Sequence, residues 1–171
     1  IDDYHSAISY RVKLNYTSSN KWETEWNDDF GTSDIVKENT FISGSIMESD
    51  DKDYYKVSVP ATTNYRVSFS HEYIENNGYR AYWNVYLYNS EKQKISEYYY
   101  EGNIKSKTEE KIKLKKGTYY LVVENSYRSD EPYSLKFSKY IAKPQVTGTK
   151  NVSTGIKVSW KKATGASGYN I

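Results

Sequence analysis

The 171-residue chain contains no cysteine, two histidines (His5 and His71), one methionine, three prolines and four phenylalanines. Without cysteine there is no disulfide, no thiol nucleophile and no zinc–thiolate site, and two distant histidines make a nitrogen-ligated metal hard to build. No run of about 18 apolar residues occurs, so no helical membrane span is expected. Neither Gly-x-Ser-x-Gly nor His-Glu-x-x-His is present, which leaves no nucleophile–base pair to nominate. Glu23 and Glu25 lie too close along the chain to flank a scissile glycosidic bond from opposite sides. A net charge of +2 with scattered lysines argues against a nucleic-acid partner. The start at Ile1-Asp2-Asp3 lacks an initiator methionine, a basic n-region and an apolar h-region, and reads as an internal piece of a longer protein.

What the chain has instead is tyrosine, 20 residues of it, within a hydrophobic content of 37%. Such a core must lean on tyrosine and tryptophan rings whose polar tips reach water, and with the many Thr, Ser and Val this favours strands over helices. Period-two alternation recurs at Phe41–Ile46, Tyr55–Val59, Tyr65–Phe69, Ala81–Leu87, Lys94–Tyr100, Lys111–Leu114, Thr118–Glu124 and Tyr133–Phe137. The expectation is an all-β fold, a jelly-roll-like antiparallel β-sandwich of about eight strands. Asn76-Asn77-Gly78 predicts a hairpin between residues 64–73 and 79–88. In the second of these, Trp83, Val85 and Leu87 would face inward and Tyr82, Tyr86 and Tyr88 outward.

Charge is distributed unevenly. Between Trp22 and Asp53 ten Asp and Glu face two Lys, a local charge of −8 in a chain of net +2. Glu23, Glu25, Asn27 and Asp29 recur at every second residue, and a second knot follows at Glu48, Asp50, Asp51 and Asp53. Like charges on one face of a strand repel unless solvated or unless a cation sits among the oxygens. Six to eight oxygen ligands suit calcium, whereas nothing here suits zinc. A merely solvated acidic loop is the alternative.

Residues 1–16 alternate at Ile8, Tyr10, Val12 and Leu14, and Tyr4, Ser6, Tyr10 and Lys13 reappear 123 positions later at Tyr127, Ser129, Tyr133 and Lys136. This predicts the last strand of a preceding domain, a possible repeat copy, with 17–21 a linker, 22–140 the sandwich and 141–171 the opening of another module. The last stretch carries five Lys and no acid, too short to bury a core alone.

Glu23-Thr24-Glu25-Trp26-Asn27-Asp28-Asp29-Phe30, Gly44-Ser45-Ile46, Asp50-Asp51-Lys52-Asp53-Tyr54-Tyr55, Leu114-Lys115-Lys116-Gly117-Thr118-Tyr119-Tyr120 and Tyr133-Ser134-Leu135 occur in the order found in the bacterial pre-peptidase C-terminal domain, which residues 22–140 resemble. The resemblance implies a non-catalytic sandwich appended to secreted or cell-surface proteins of Gram-positive type, among them proteases, whose clostridial collagenase members bind collagen. It further implies calcium ligands at Glu23, Glu25, Asn27, Asp28, Ser45, Asp50 and Asp53, with Asp29 and Asp51 matching less well. Tyr88 falls where collagen-binding members place an aromatic, but Glu124 stands where they have another tyrosine. The expected partners are other domains of the same polypeptide and, as an alternative role, a collagen-like peptide or a polysaccharide held by Tyr82, Tyr86 and Tyr88; Tyr98, Tyr99 and Tyr100 offer a further sugar platform. Residues 141–171, through Ile156-Lys157-Val158-Ser159-Trp160 and Gly165-Ala166-Ser167-Gly168-Tyr169, are similar to the first strands of a fibronectin type III module.

Overall fold

Alternation decides which way each strand turns its side chains, and the buried residues follow it closely. A computed structural model describes residues 11–13, 15, 19, 21–47, 50–72, 82–102, 105–109, 111–125 and 131–169. Twelve strands are present among them: β1 (Asp34–Ile35), β2 (Phe41–Gly44), β3 (Asp53–Val59), β4 (Thr63–His71), β5 (Tyr82–Tyr88), β6 (Lys94–Glu101), β7 (Ser106–Thr108), β8 (Ile112–Leu114), β9 (Gly117–Asn125), β10 (Tyr133–Lys139), β11 (Gln145–Val152) and β12 (Gly155–Lys161). No helix of the described residues is long and apolar enough to cross a membrane.

The first sheet has the order β1-β3-β9-β5-β6 and the second β2-β10-β4-β7, with β8 also on β4. All pairings are antiparallel except the short parallel one of β1 on β3. The two sheets face each other across one core. Val57, Val85, Leu87, Leu121 and Val123 from the first sheet pack with Ile42, Val67, Leu135 and Phe137 from the second. Phe69 on β4 spans the gap, its ring 4.6 Å from Tyr100 and 6.1 Å from Trp83. A β-sandwich is therefore the fold, built from ten strands rather than about eight; the two-residue β1 and the three-residue β7 are too short to leave a periodic signal.

One expectation needs correction. β4 and β5 lie in different sheets, so they form no hairpin; their apolar faces oppose one another across the core. The Asn76-Asn77-Gly78 turn lies outside the described residues. Of the segment before residue 17 only 11–13 and 15 are described, without strand and with Val12 83% exposed; residues 1–10, 14 and 16 lie outside the described residues. Its proposed repeat partners at 127 and 129 lie outside them as well.

β11 and β12 pair only with each other, and no residue in either is buried.

Candidate metal centre

The opening acidic segment is not a strand. It is tied to both sheets by individual bonds: Trp22 bridges Ser43 in parallel, the Glu23 amide donates to the Ser43 carbonyl at 2.9 Å, and the Thr24 amide donates to Asp34 Oδ2 at 2.7 Å. Further on, the Tyr54 amide donates to the Asn27 carbonyl at 3.0 Å. The Glu25–Trp26 peptide is cis. The segment ends in a turn in which Asp29 Oδ1 accepts from the amides of Gly31 (2.5 Å) and Thr32 (3.0 Å). Phe30 is then seated edge-on among Tyr54, Tyr88 and Tyr120 at 4.9–5.4 Å on the outside of the first sheet. The expected alternation of Glu23, Glu25, Asn27 and Asp29 on one face is thereby replaced: Glu23 and Asn27 are buried, Glu25 and Asp29 exposed.

Asp53 opens β3, on the inward series it shares with Tyr55, Val57 and Val59. Strand periodicity thus carries a carboxylate into the end of the core. There Glu23, Glu25 and Asp53 each bring an oxygen within 4.8 Å of the others, and Glu25, Asp28 and Asp51 form a second such trio. Oxygens around one calcium at about 2.3–2.6 Å lie at most about 5 Å apart, so both trios have the right span. Glu25 belongs to both.

The buried members are held by tyrosine. Tyr55 donates to Glu23 Oε2 at 2.5 Å and lies 2.5 Å from the Tyr133 hydroxyl, which is hydrogen-bonded to Asp53 Oδ2. The Ser45 amide donates to Glu23 Oε1 at 2.6 Å. Besides a longer contact of 3.4 Å from the Tyr133 hydroxyl to Glu23 Oε2, three short O···O contacts link Glu23, Tyr55, Tyr133 and Asp53, but the two phenols supply only two hydrogens. Without a cation a carboxyl must carry the third. Burial accordingly pushes Asp53 far above the usual carboxylate range, helped by the charge of Glu23, and raises Glu23 for the same reason of lost solvation. Glu25 is pushed up to about 7 by partial burial, then by the charges of Glu23, Asp51, Asp28 and Asp34. Gly44 is required here: a Cβ would stand 2.3 Å from Glu23 Oε2 and 2.6 Å from the Tyr133 hydroxyl.

Two features speak for a cation. Among the described residues, none of the ion pairs formed with Lys or Arg involves Glu23, Glu25, Asp28 or Asp53. The fully buried Asn27 leaves both its amide oxygen and nitrogen without a hydrogen-bond partner, as does Asp53 Oδ1. Buried polar atoms are normally satisfied, so these await something the protein itself does not supply.

Of the residues expected as ligands, Glu23, Glu25, Asp28 and Asp53 meet in the trios and Asn27 is buried. Ser45 offers an amide to Glu23. Asp50 lines a cavity of about 420 Å³ with Glu25, Trp26, Asp28, Met47 and Asp51, but belongs to neither trio. Asp51 takes part after all, while Asp29 is spent on its turn, whose amides hold its carboxyl below the usual range. Tyr55, Tyr133 and Gly44 were not expected. Their signal was there in part, since Tyr55 shares the phase of Asp53.

On the outer face of β5, Tyr82, Tyr86 and Tyr88 are half-buried: Tyr82 lies 4.8 Å from Tyr99, and Lys94 Nζ sits 4.7 Å above the Tyr86 ring. Tyr98 and Tyr100 point the other way, into the core, so they belong to no surface platform.

The chain is similar to the pre-peptidase C-terminal domain of collagenase from Bacillus anthracis. The two are 24% identical with a TM-score of 0.47, over 61% of this chain and 93% of that domain. A cycloisomaltooligosaccharide glucanotransferase of Paenibacillus sp., solved with cycloisomaltoheptaose, matches at 16% identity and a TM-score of 0.36 over 61% of this chain and 15% of the enzyme. A β-glucosidase from Paenibacillus barengoltzii matches at 11% identity and 0.35, over 72% of this chain and 14% of the enzyme. The chain spans about a seventh of the length of these two enzymes. No family model and no curated protein matches it.

Proposed function

We propose that residues 22–140 are a non-catalytic, calcium-stabilised accessory module of a larger secreted or cell-surface bacterial protein, serving as a spacer or targeting domain. The supporting observation is the burial of Glu23 and Asp53 within reach of one another with no cationic side chain between them. Two desolvated carboxylates at this distance are unfavourable unless protonated or joined by a cation. The donors are all oxygen, which suits calcium. Glu23, Glu25, Asn27 and Asp53 would hold it at the buried end, and Glu25, Asp28 and Asp51 at the exposed end. Calcium would supply positive charge and nothing redox-active or catalytic. Extracellular modules need only ~10⁻⁴–10⁻³ M affinity where calcium is plentiful, and any binding selective for the folded state adds to stability.

Thermal unfolding of wild type and Glu25→Ala, each in calcium and in chelator, tests this reading. A midpoint raised by calcium in the wild type alone is the expected result. Four equal midpoints would remove the site.

A second reading has the module bind a collagen-like peptide or polysaccharide through Tyr82, Tyr86 and Tyr88. Their shared outward register on β5 favours it, and a pull-down comparing triple-helical collagen peptide with polysaccharides, on wild type and Tyr86→Ala, tests it.

A further inference from the structure

β9 breaks the alternation that the other long strands keep. Leu121, Val122 and Val123 are all buried, yet Val122 lies outside the cluster between the sheets. It is on the outer face of the first sheet, opposite Tyr54 on one side and Tyr86 on the other. A smaller aromatic cluster is built on this face. Tyr88 and Tyr120 stand opposite each other on β5 and β9, and Tyr54 joins them from β3. Phe30 meets all three edge-on, its centroid 4.9 Å from Tyr54, 5.1 Å from Tyr120 and 5.4 Å from Tyr88. Lys92 Nζ lies 5.1 Å from the centre of the same ring. One side chain of the acidic segment is thus docked on three strands at once.

That ring belongs to the loop that carries two of the outer carboxylates. The bond from the Thr24 amide to Asp34 closes residues 24–34 on themselves, and the bond from the Tyr54 amide to the Asn27 carbonyl pins the middle. Tyr54 therefore holds the loop twice, by its backbone at Asn27 and by its ring at Phe30. Glu25 and Asp28 lie in the first half of the loop, whereas Asp51 comes from the approach to β3. Three carboxylates within 4.8 Å repel one another when no cation lies between them, which drives the loop away from Asp51. The docked ring opposes that movement. Little slack separates the two, because Phe30 follows Asp28 by two residues and the intervening Asp29 is fixed by its turn; Ser33 Oγ also donates to the Phe30 carbonyl at 3.1 Å.

We propose that Phe30 is a positioning residue for the cation site: docked on Tyr54, Tyr88 and Tyr120, it holds Glu25 and Asp28 within reach of Asp51 and so sets the affinity for calcium without touching the ion. The proposal rests on the calcium reading of the acidic trios. A loop that spends only a fraction of its time in the ligating arrangement binds with its affinity reduced by that fraction, so an anchor that keeps it there raises affinity. None of the four rings belongs to the core between the sheets, and the sandwich stands without them. A contact that only packed the fold would change the unfolding midpoint equally with and without calcium. A positioning contact matters most where calcium is bound, because its loss also removes part of the stabilisation that binding adds. Edge-to-face contact needs an aromatic ring, so tyrosine can replace Phe30 and alanine cannot.

The test is calorimetric titration of the full chain with calcium, paired with unfolding midpoints in calcium and in chelator, on wild type, Phe30→Ala, Phe30→Tyr, Tyr120→Ala and Tyr140→Ala. Phe30→Ala should weaken calcium binding at least about tenfold and Tyr120→Ala about threefold, while Phe30→Tyr stays within about twofold of wild type. Tyr140→Ala, which removes a ring 4.3 Å from the Arg66 guanidinium beside the second sheet, should bind as wild type. The midpoint of Phe30→Ala should fall further in calcium than in chelator. If Phe30→Ala does not fold, Tyr120→Ala carries the same comparison. Binding by Phe30→Ala within about twofold of wild type, an equal fall of its midpoint in both conditions, a Phe30→Tyr as weak as Phe30→Ala, or equal weakening in Tyr140→Ala would overturn the proposal and leave the calcium reading in place. Absence of saturable binding by wild type up to about 10 mM would overturn both.

Discussion

The acidic entrance and the tyrosine face of the first sheet are both polar and both unusual in composition. They differ in what would happen if a side chain were removed. At the entrance, Glu23 satisfies the Ser45 amide and the Tyr55 hydroxyl at once, and Gly44 leaves no room for adjustment. On the face, Tyr82 and Tyr86 stand half in water against neighbours that could relax. Density of polar groups is thus no guide to their energetic role; burial without charge compensation is.

The largest effect that would sharpen this contrast is expected from Glu23→Ala, which takes the acceptor from the part-buried Ser45 amide and from the buried Tyr55 hydroxyl and removes a proposed ligand. A loss of about 2–5 kcal/mol in calcium is predicted, read from denaturant unfolding. Gly44→Ala should follow at about 1–3 kcal/mol, because the new methyl must displace Glu23 or Tyr133, and it should also shrink the calcium-dependent rise in midpoint. A midpoint as in wild type would show the cradle to be slack.

The pH response should differ in sign with and without calcium. Glu23, Glu25 and Asp53 have folded pKa values above their unfolded ones, so the folded state binds more protons and stability falls as pH rises from about 4.5 upwards. In chelator the unfolding midpoint should therefore decline between about pH 5 and 8, with Glu25 contributing up to its value of about 7. Calcium favours the ionised carboxylates, and the same interval should then show a rise. Parallel slopes in the two conditions would contradict the account. The smallest effect belongs to the tyrosine face, where Tyr82→Ala and Tyr86→Ala should each change stability by less than about 1 kcal/mol and leave the calcium response intact.

Much of the sandwich was legible because each long strand obeys one rule: Tyr55, Val57 and Val59, or Trp83, Val85 and Leu87, alternate with polar residues and are buried. The pairing of strands was less so. Asn77-Gly78 predicts a turn but not which sheet the chain enters after it, since burying β4 and β5 against one another satisfies the same alternation as pairing them side by side. The site shows a similar division. Composition pointed to the two acidic knots, but the side each carboxylate takes depends on bonds from Ser43, Asp34 and Tyr54 that no local pattern encodes. Hence Asp51 entered the second trio and Asp29 closed a turn, although the sequence alone does not separate the two.

Calorimetric titration with calcium on wild type, Asp53→Asn and Asp29→Asn goes most directly to the central claim. Saturable binding near 10⁻⁴–10⁻³ M is predicted for wild type and Asp29→Asn and should be lost, or weakened at least about tenfold, in Asp53→Asn. Absence of binding in the wild type, or equal affinity in Asp53→Asn, would contradict it.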